Sequence, residues 1–307
     1  MTRILAIGEC MVEIAPTSVL NQFCLGYAGD TLNTAWYLRH ILGPSVQVDY
    51  FTAVGTDTVS NKMIKFLQQT GIGTDHILRV KDKSVGLYMI QLQDGERNFS
   101  YWRGESAART LAETTLPLQV ALDGAEFAYF SGITLAILPA SDCIRLLKVL
   151  EEFRESGGVV IFDPNLRPKL WTSPLQMTET VMQAAAISDI VLPSFEDEAI
   201  WFGDLSKEAT VRRYVAAHVG CCVVKNGSGR ILAYEDGHCI NCDPIQNVKL
   251  VDSTAAGDSF NAGFIGARLQ GADLDDAVLA GSSLAAQVIL KPGALVEVDF
   301  TDVPHRN

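Results

Sequence analysis

Short apolar runs alternate with amphipathic stretches along most of this chain. The runs that predict buried strands are ILAIG, VQVDYFTAV, FAYFSG, GVVIFDP, DIVLP and CCVVKNG, and the helices predicted between them are Asp30–Leu42, Ser60–Gln69, Ile144–Phe153 and a helix before Ser188. Strands separated by helices form a mainly parallel sheet with helices on its faces. The pattern therefore predicts a doubly wound α/β fold that binds ligands at the carboxyl ends of its strands.

Two stretches, Cys10–Leu25 and Gly86–Trp102, depart from this pattern. Both have alternating strand character, and the second contains Asp94-Gly95, a dipeptide favoured in tight hairpin turns. We expect antiparallel strands here, outside the main sheet. The sequence contains no linker, low-complexity run or internal repeat, so we expect one domain over residues 1–307.

Composition narrows the class of protein. The 307 residues are 48% hydrophobic and 20% charged, which is enough to bury one sizeable core. A net charge of −12 disfavours a nucleic-acid partner, because such partners require clustered Lys and Arg. The start of the chain does not make a secretory signal, and no apolar run is long enough to cross a bilayer. We expect a cytoplasmic protein with no membrane partner.

The seven cysteines are scattered and odd in number, which is typical of reduced thiols in a cytosolic protein. His238-Cys239-x-x-Cys242 has a spacing found in metal and redox sites. A tetrahedral site needs a second pair of ligands, which the sequence lacks, so packing within a strand is the favoured interpretation. No metal ligand set is assigned.

The segment 251–264, VDSTAAGDSFNAGF, carries the strongest functional signal. Ala255, Ala256 and Gly257 add little bulk, so their N–H groups can line the first turn of the following helix, and such a terminus binds anions. Asp258 lies in that turn, where it can accept a proton from a bound hydroxyl. The combination suggests phosphoryl transfer to an alcohol. The alternative is an ordinary helix start that is capped by Asp252, Ser253 or Thr254.

DSTAAGDSFNAGF resembles the signature D-T-x-G-A-G-D-x-F of the ribokinase-like, or PfkB, carbohydrate kinases. Ala255 stands where that family most often has glycine, and we expect a negative φ there. The resemblance implies a ribokinase-like fold with a small β lid from residues of about 10–27 and 85–104, which covers the sugar and in many members pairs into a homodimer. It implies ATP and Mg²⁺. Some members also bind a monovalent cation, which would lie near Asp252 and Thr254.

Two further groups of residues resemble the family's acceptor site. YAGDTLNT resembles its sugar-binding segment, so Gly29, Asp30, Thr31, Leu32 and Asn33 are substrate-binding candidates; a capped helix start is the alternative. GLYMI, YWRGESAA and FDPNLRP add Tyr88, Tyr101, Arg103 and Arg167, and together these segments resemble the 2-keto-3-deoxygluconate kinases. Two guanidiniums suit a sugar acid. The alternative for Arg103 is a solvated side chain on an edge strand, and the alternative for Arg167 is a surface turn set by two prolines.

The nucleotide site is implied by three other segments. VVKNGSGR resembles the family's V-K-x-G-x-x-G segment, Ser194-x-x-Asp197 replaces its N-x-x-E, and the helix 280–290 lies where relatives bind adenine. A hairpin turn, a capped helix start and close helix packing are the respective alternatives. The cofactor-binding candidates are Asn165, Ser194, Lys225, Asn226, Gly227, Gly229, Arg230 and Ser282.

These observations predict an ATP-dependent kinase that phosphorylates the terminal primary hydroxyl of 2-keto-3-deoxygluconate. Asp258 is the expected base, with the amides of residues 255–258 stabilising the transferring phosphoryl group. A fructokinase or another PfkB sugar kinase is the close alternative. A non-catalytic sugar-acid sensor is the alternative from another class.

Overall fold

The computed structural model describes residues 2–17, 19, 21–93, 96–245 and 248–299. The predicted Asp94-Gly95 turn lies outside these residues. The strands are β1 (Thr2–Ile7), β2 (Met11–Pro16), β3 (Phe23–Ala28), β4 (Val46–Phe51), β5 (Ala53–Gly55), β6 (Leu78–Val80), β7 (Gly86–Gln93), β8 (Glu96–Trp102), β9 (Phe127–Ser131), β10 (Val159–Asp163), β11 (Ile190–Val191), β12 (Cys221–Val224), β13 (Ile231–Glu235) and β14 (His238–Cys242).

The helices between and after these strands are α1 (Asp30–Ile41), α2 (Thr58–Gln69), α3 (Leu116–Leu122), α4 (Gly132–Ala136), α5 (Ala140–Glu155), α6 (Pro174–Ala186), α7 (Phe195–Trp201), α8 (Lys207–Ala216), α9 (Ala256–Leu269) and α10 (Leu274–Val288). Short 3₁₀ helices cover Ala107–Thr110 and Pro168–Leu170. Across the described ranges, no helix combines the length and apolar character needed to cross a membrane.

Eight strands form the main sheet in the order β14-β13-β12-β11-β10-β9-β1-β4. The pairs from β4 to β12 are parallel, and β13 and β14 extend the edge as antiparallel strands. The predicted mainly parallel α/β fold is confirmed. Because parallel strands share one direction, their carboxyl ends meet at the same edge, where candidate residues after β10, β11 and β12 come together.

Apolar side chains cover both faces of this sheet. In β1, Ile4 and Ala6 belong to one core cluster, and Leu5 and Ile7 belong to another; all four are fully buried. Side chains alternate between the faces of a strand, so a continuous apolar run is what a strand buried on both faces requires. The ILAI run therefore predicted a central strand correctly.

A separate four-stranded sheet has the order β3-β2-β7-β8. The pairs β2–β3 and β7–β8 are antiparallel, as expected, but β2 and β7 pair in parallel, with Met11 opposite Gly86. Parallel pairing is possible because a long stretch of chain that contains α1 and α2 separates these two strands. We call this four-stranded sheet the lid sheet.

Close contact between α9 and α10 depends on two glycines. A Cβ on Gly263 would lie 2.6 Å from the carbonyl oxygen of Ala280, and a Cβ on Gly281 would lie 2.8 Å from that of Phe260. Absence of a side chain at both positions lets the two backbones approach. This packing fixes the direction of α9, whose first turn carries Asp258.

Candidate active site

Helix α9 begins without a side-chain cap. Its N-cap residue is Ala255 rather than Asp252, Ser253 or Thr254. Asp252 is used elsewhere, because its Oδ1 accepts from the Thr254 amide at 3.0 Å and its Oδ2 accepts from the Gly293 amide at 2.7 Å. The carboxylate therefore ties the approach to α9 to the segment after α10 instead of capping the helix.

The expectation of a negative φ at Ala255 is wrong. Its φ of 58° and ψ of 15° lie in the left-handed region, which is unfavourable for a residue with a Cβ. The methyl group is partly buried against the core cluster that includes Met11, Tyr88 and Ile90. This packing helps to hold an unfavourable conformation in place.

The first turn of α9 lies beside the ammonium group of Lys225. The Ala256 amide donates to the carbonyl of Ser253 at 3.2 Å, and the Ser259 amide donates to the carbonyl of Ala255 at 2.8 Å. A Cβ on Gly257 would lie 3.7 Å from Nζ of Lys225, so the ammonium group is beside the turn. The helix dipole and Lys225 both favour an anion at this point.

Asp258 is held by residues of α1. Asn33 donates its side-chain amide to Oδ2 of Asp258 at 2.7 Å, and Thr34 donates its hydroxyl to the Asp258 backbone carbonyl at 3.1 Å. Burial raises the pKa of Asp258 to about 7, the negative charge of Asp30 adds to the rise, and the Asn33 bond opposes it. A carboxyl group with this pKa can accept a proton near neutral pH.

A hydrogen bond between Asp30 and Asn165 joins α1 to the segment after β10. The Asn165 side-chain amide donates to Oδ2 of Asp30 at 2.8 Å, and its backbone amide donates to Oδ1 of Asp163 at 3.2 Å. Burial raises the pKa of Asp30, whereas bonds from Ser131, Thr31 and Asn165 lower it. Asp30 therefore has two effects: it holds Asn165 through a hydrogen bond, and its negative charge raises the pKa of Asp258.

Lys225 is a buried cation among these acids. Its Nζ donates to Oδ1 of Asn261 at 2.9 Å and lies 3.3 Å from Oδ2 of Asp163. Asn261 in turn donates to the same Asp163 oxygen at 2.7 Å and to the hydroxyl of Tyr129 at 3.1 Å. Such a network orients Lys225 toward the first turn of α9 and partly offsets its charge.

These groups surround a polar cavity of about 170 Å³. The side chains that define its chemistry are Asp163, Asn165, Arg167, Asp197, Lys225 and Asp258. A larger cleft of about 530 Å³ lies at the amino edge of β9 and β10, lined in part by Glu126 and Gly158, away from this chemistry. Parallel sheets bind ligands at the carboxyl edge, so the smaller cavity is the candidate active site.

The cavity joins a proton acceptor, an anion-binding helix start and two cations on a ribokinase-like framework. Residues 1–299 match the family described as pfkB family carbohydrate kinase. The chain belongs to the PfkB family. It is an alcohol-directed phosphotransferase of that family.

Individual relatives of this PfkB kinase cover nearly its whole length. The 2-dehydro-3-deoxygluconokinase of Dickeya dadantii strain 3937 is 39% identical over 307 residues, which cover 97% of each chain. The crystal structure of 2-dehydro-3-deoxygluconokinase from Thermotoga maritima has a TM-score of 0.82 at 19% identity, covering 99% of this chain and 98% of that chain. A protein from E. coli assigned as Ribokinase II, solved with ATP and Mg²⁺, has a TM-score of 0.82 at 19% identity, covering 99% and 96%.

The predicted nucleotide segment of this kinase forms a turn after β12. Gly227 has a φ of 53°, and the Gly229 amide donates to the Asn226 carbonyl at 2.7 Å. The Asn226 side-chain amide donates to the Arg230 carbonyl at 3.4 Å. Arg230 itself is exposed and pairs with Asp243 at 2.7 Å, so its guanidinium does not line the described cavity.

Ser194 is the N-cap residue of α7, but its side chain makes no capping bond. Both Ser194 and Asp197 line the cavity. Burial raises the pKa of Asp197, and the positive charge of Arg167 opposes that rise. Ser282 lies on α10 outside the described cavity lining; it is buried, and its Oγ has no hydrogen-bond partner among the described residues.

The two arginines expected to bind a carboxylate lie in different surroundings. Arg167 lines the cavity, and its Nη1 donates to the Leu166 carbonyl at 2.9 Å. Arg103 follows the lid sheet and forms an ion pair with the buried Glu9. Arg103 is outside the described lining of the cavity.

Tyr88 and Tyr101 pair across β7 and β8 on the same face of the lid sheet, with ring centroids 5.8 Å apart and ring planes tilted by 34°. Tyr88 is buried and donates its hydroxyl to Glu13, whereas Tyr101 is 53% exposed. An exposed aromatic face beside a buried one can cover the carbon side of a sugar. Tyr101 is the ring that remains available to a ligand.

Not every residue of the predicted sugar-binding segment faces a ligand. Thr31 is fully buried and shares a hydrogen bond of 2.9 Å with the Tyr50 hydroxyl, and Leu32 is fully buried in the core. Gly29 is required for packing, because a Cβ there would lie 2.1 Å from the carbonyl oxygen of Glu9. Of this segment, Asn33 bonds the carboxylate of Asp258, and Thr34 bonds its backbone carbonyl.

Sequence reasoning assigned no role to Glu9, Asp163 or Asn261. Glu9 and Asp163 follow or end strands β1 and β10, and the rule that ligands bind at carboxyl strand ends could have identified both. Asn261 is three residues after Asp258 on α9, so helical spacing places it on the same side. The bonds of Glu9 to Arg103, and of Asn261 to Lys225 and Asp163, join segments that are far apart in the sequence.

Proposed function

We propose that this kinase transfers the γ-phosphoryl group of ATP to the terminal primary hydroxyl of 2-keto-3-deoxygluconate, which is also called 2-dehydro-3-deoxygluconate. The bond from the γ-phosphorus to the β,γ-bridging oxygen breaks and a bond to the acceptor oxygen forms. The products are ADP and 2-keto-3-deoxy-6-phosphogluconate, and the hydroxyl proton passes to Asp258. The observation that carries this proposal is Asp258, with a pKa of about 7, in the first turn of α9 beside the ammonium group of Lys225.

Asp258 needs to orient the acceptor more than to act as a strong base. Its Oδ2 is fixed by Asn33, so Oδ1 is the oxygen that we assign to the acceptor hydroxyl. Phosphoryl-transfer transition states are loose, and catalysis depends on position and charge. The amides of Gly257 and Asp258, with Lys225 beside them, would stabilise the transferring group.

The acceptor site would use residues of both sheets. Arg167 would bind the carboxylate, with Arg103 as its second cation, and Tyr101 would cover the carbon chain beside Tyr88. Gly29, Asp30 and Asn33 would place the hydroxyl end near Asp258. The curated relatives named 2-dehydro-3-deoxygluconokinase, at 36 to 39% identity, support this substrate over a neutral ketose.

The chemistry of the cavity fits ATP. Lys225 and the turn of Asn226, Gly227 and Gly229 would hold phosphate oxygens, and Ser282, whose buried Oγ lacks a described partner, would bond the base. Asn165 and Ser194 would complete the phosphate side, with Arg230 at its exposed edge. Mg²⁺ bound with ATP supplies charge neutralisation, and the residue that would hold it, through water, is Asp197.

We further propose a cytoplasmic homodimer that pairs through the lid sheet. A monovalent cation, where one binds, would lie near Asp252 and Thr254, whose carboxylate and hydroxyl oxygens can accept both a hydrogen bond and a cation. Neither nucleic acid nor a membrane is a proposed partner.

An acceptor panel tests the function. ATP consumption would be measured with 2-keto-3-deoxygluconate, gluconate, fructose and ribose, and the phosphorylated carbon would be identified by NMR. We expect the largest kcat/KM for 2-keto-3-deoxygluconate and loss of about 100-fold or more of kcat in Asp258→Asn, with ATP binding retained. A higher kcat/KM for fructose would establish the neutral-sugar alternative. Sugar binding without ATP consumption would establish the sensor.

A further inference from the structure

Glu9 is a buried carboxylate at the junction of the main sheet and the lid sheet. It lies between β1 and β2 and is 2% exposed. A Cβ on Gly86, the first residue of β7, would lie 2.7 Å from Glu9 Oε1 and 3.2 Å from Cβ of Arg103. A Cβ on Gly29 would lie closer still, 2.1 Å from the backbone carbonyl oxygen of Glu9. Two glycines thus make room for Glu9 at the base of the proposed acceptor site.

Both carboxylate oxygens of Glu9 have partners from the segment after β8. Oε2 accepts from Nη2 of Arg103, and Oε1 accepts from the hydroxyl of Ser106 at 2.5 Å. The Arg103 side chain is 11% exposed and that of Glu9 is 1% exposed. A charge-assisted bond between two such buried groups restricts the guanidinium to one orientation.

Arg103 still has donors to offer. Its Nε is buried and has no hydrogen-bond partner in the described parts of the chain. A buried donor on a charged group is costly to leave unpaired, so a second acceptor would stabilise it. Glu9 accepts from one amino group of the planar fork, and this bond fixes the plane of the guanidinium and so the direction of its other donors.

We propose that Glu9 is the positioning residue that orients Arg103 for the carboxylate of a sugar-acid acceptor. This inference rests on the proposed function. Glu9 does not touch the substrate. It limits the net positive charge of the pocket and fixes the remaining donors of Arg103 before the substrate arrives, so the ordering cost is not incurred on binding.

Glu9→Gln tests the inference because glutamine keeps the shape but loses the charge and one acceptor oxygen. We expect KM for 2-keto-3-deoxygluconate to rise about 10-fold, the typical effect of one charge-assisted bond, with kcat changed less than about threefold. The KM for ATP should stay at its wild-type value. A fall in kcat with unchanged KM would contradict positioning of the acceptor.

A double-mutant cycle separates positioning from a general structural role. Glu9→Gln should add little to the defect of Arg103→Gln, because the group that Glu9 orients is then gone. Equal effects of Glu9→Gln in the wild-type and Arg103→Gln backgrounds would overturn the inference. Thermal unfolding of all four proteins identifies a loss of folding, and Ser106→Ala, which removes the other partner of Glu9, should give a smaller rise in KM.

The same measurements distinguish this inference from the proposed function. A wild type that uses 2-keto-3-deoxygluconate but shows no coupling in the cycle would refute the role of Glu9 and leave the function standing. A wild type that prefers a neutral ketose would refute the function. Coupling in the KM for that ketose would overturn the inference too, because a ketose has no carboxylate for Arg103 to bind.

Discussion

The side-chain amide of Asn33 donates to Oδ2 of Asp258 at 2.7 Å, joining α1 to the first turn of α9 across 225 positions of sequence. The bond does two things. It fixes one carboxylate oxygen, and it favours the ionised form that burial and Asp30 disfavour. The pKa of Asp258 is therefore lowered by a neighbour from the other end of the chain.

Removal of that amide should shift the pH dependence of the reaction. In Asn33→Ala, the pKa of Asp258 loses an influence that lowers it, so the ascending limb of kcat/KM against pH, near 7 in the wild type, should move upward by about 0.5 to 1 unit. Thr34→Val is the matched control, since Thr34 bonds the backbone carbonyl of Asp258 and not its carboxylate. An unshifted limb in Asn33→Ala would assign the titration to another group.

Asp258→Asn should stabilise the fold at neutral and alkaline pH. The carboxyl has a higher pKa folded than unfolded, so the folded state holds more protons between about pH 4 and 7, and the free energy of unfolding of the wild type falls as pH rises through that range. Asparagine never ionises. We expect Asp258→Asn to be more stable by on the order of 1 to 3 kcal/mol above pH 7, with the difference shrinking below it.

Urea denaturation at pH 5, 6, 7 and 8 measures this difference. Equal stability of the two proteins at every pH would show that the ionised carboxylate costs the fold nothing.

Arg167→Ala should change acceptor preference. Loss of a charge-assisted partner for a carboxylate typically costs about 1.5 to 3 kcal/mol, so the ratio of kcat/KM for 2-keto-3-deoxygluconate to that for fructose should fall roughly 10- to 150-fold. Arg167→Lys keeps the charge without the planar fork, so its ratio should lie between those of the wild type and Arg167→Ala. A ratio that stays constant in Arg167→Ala would make Arg167 a turn residue.

The left-handed conformation of Ala255 makes that position selective for small residues. Ala255→Gly suits the φ of 58° but removes the methyl contact, so its free energy of unfolding should stay within about 1 kcal/mol of wild type, and kcat should be retained. Ala255→Val places a β-branched residue at positive φ and should lower both kcat and stability. Comparable activity of the two variants would indicate that the turn changes conformation freely.

The lid sheet should mediate self-association. Phe23, Leu25 and Trp102 are 49%, 57% and 58% exposed, which leaves apolar area for a partner to cover. Light scattering should give twice the chain mass of 33.3 kDa for the wild type and a lower mass for Leu25→Glu. Leu205→Glu, at a residue that is 96% exposed outside the lid sheet, should leave the mass unchanged. A wild-type monomer would refute the dimer.

The main sheet is predictable from local sequence, because an apolar run such as ILAI in β1 is stable only when covered on both faces. The small residues beside Asp258 also predicted its role as the base, which stays a prediction. The parallel pairing of β2 with β7, and the unfavourable φ of Ala255, were decided by tertiary structure. Register between distant strands and strain in a turn depend on what packs around them.

The sequence likewise could not predict which side chains form ion pairs and hydrogen bonds with the candidate site residues. Arg103 and Glu9 are 94 positions apart, and each alone fits a surface or a site equally well. Only the fold brings them together in a buried place, where one charge requires the other. Residue types that can do chemistry are local in sequence, whereas the burial, charge and hydrogen bonds that select their role come from segments which meet only in three dimensions.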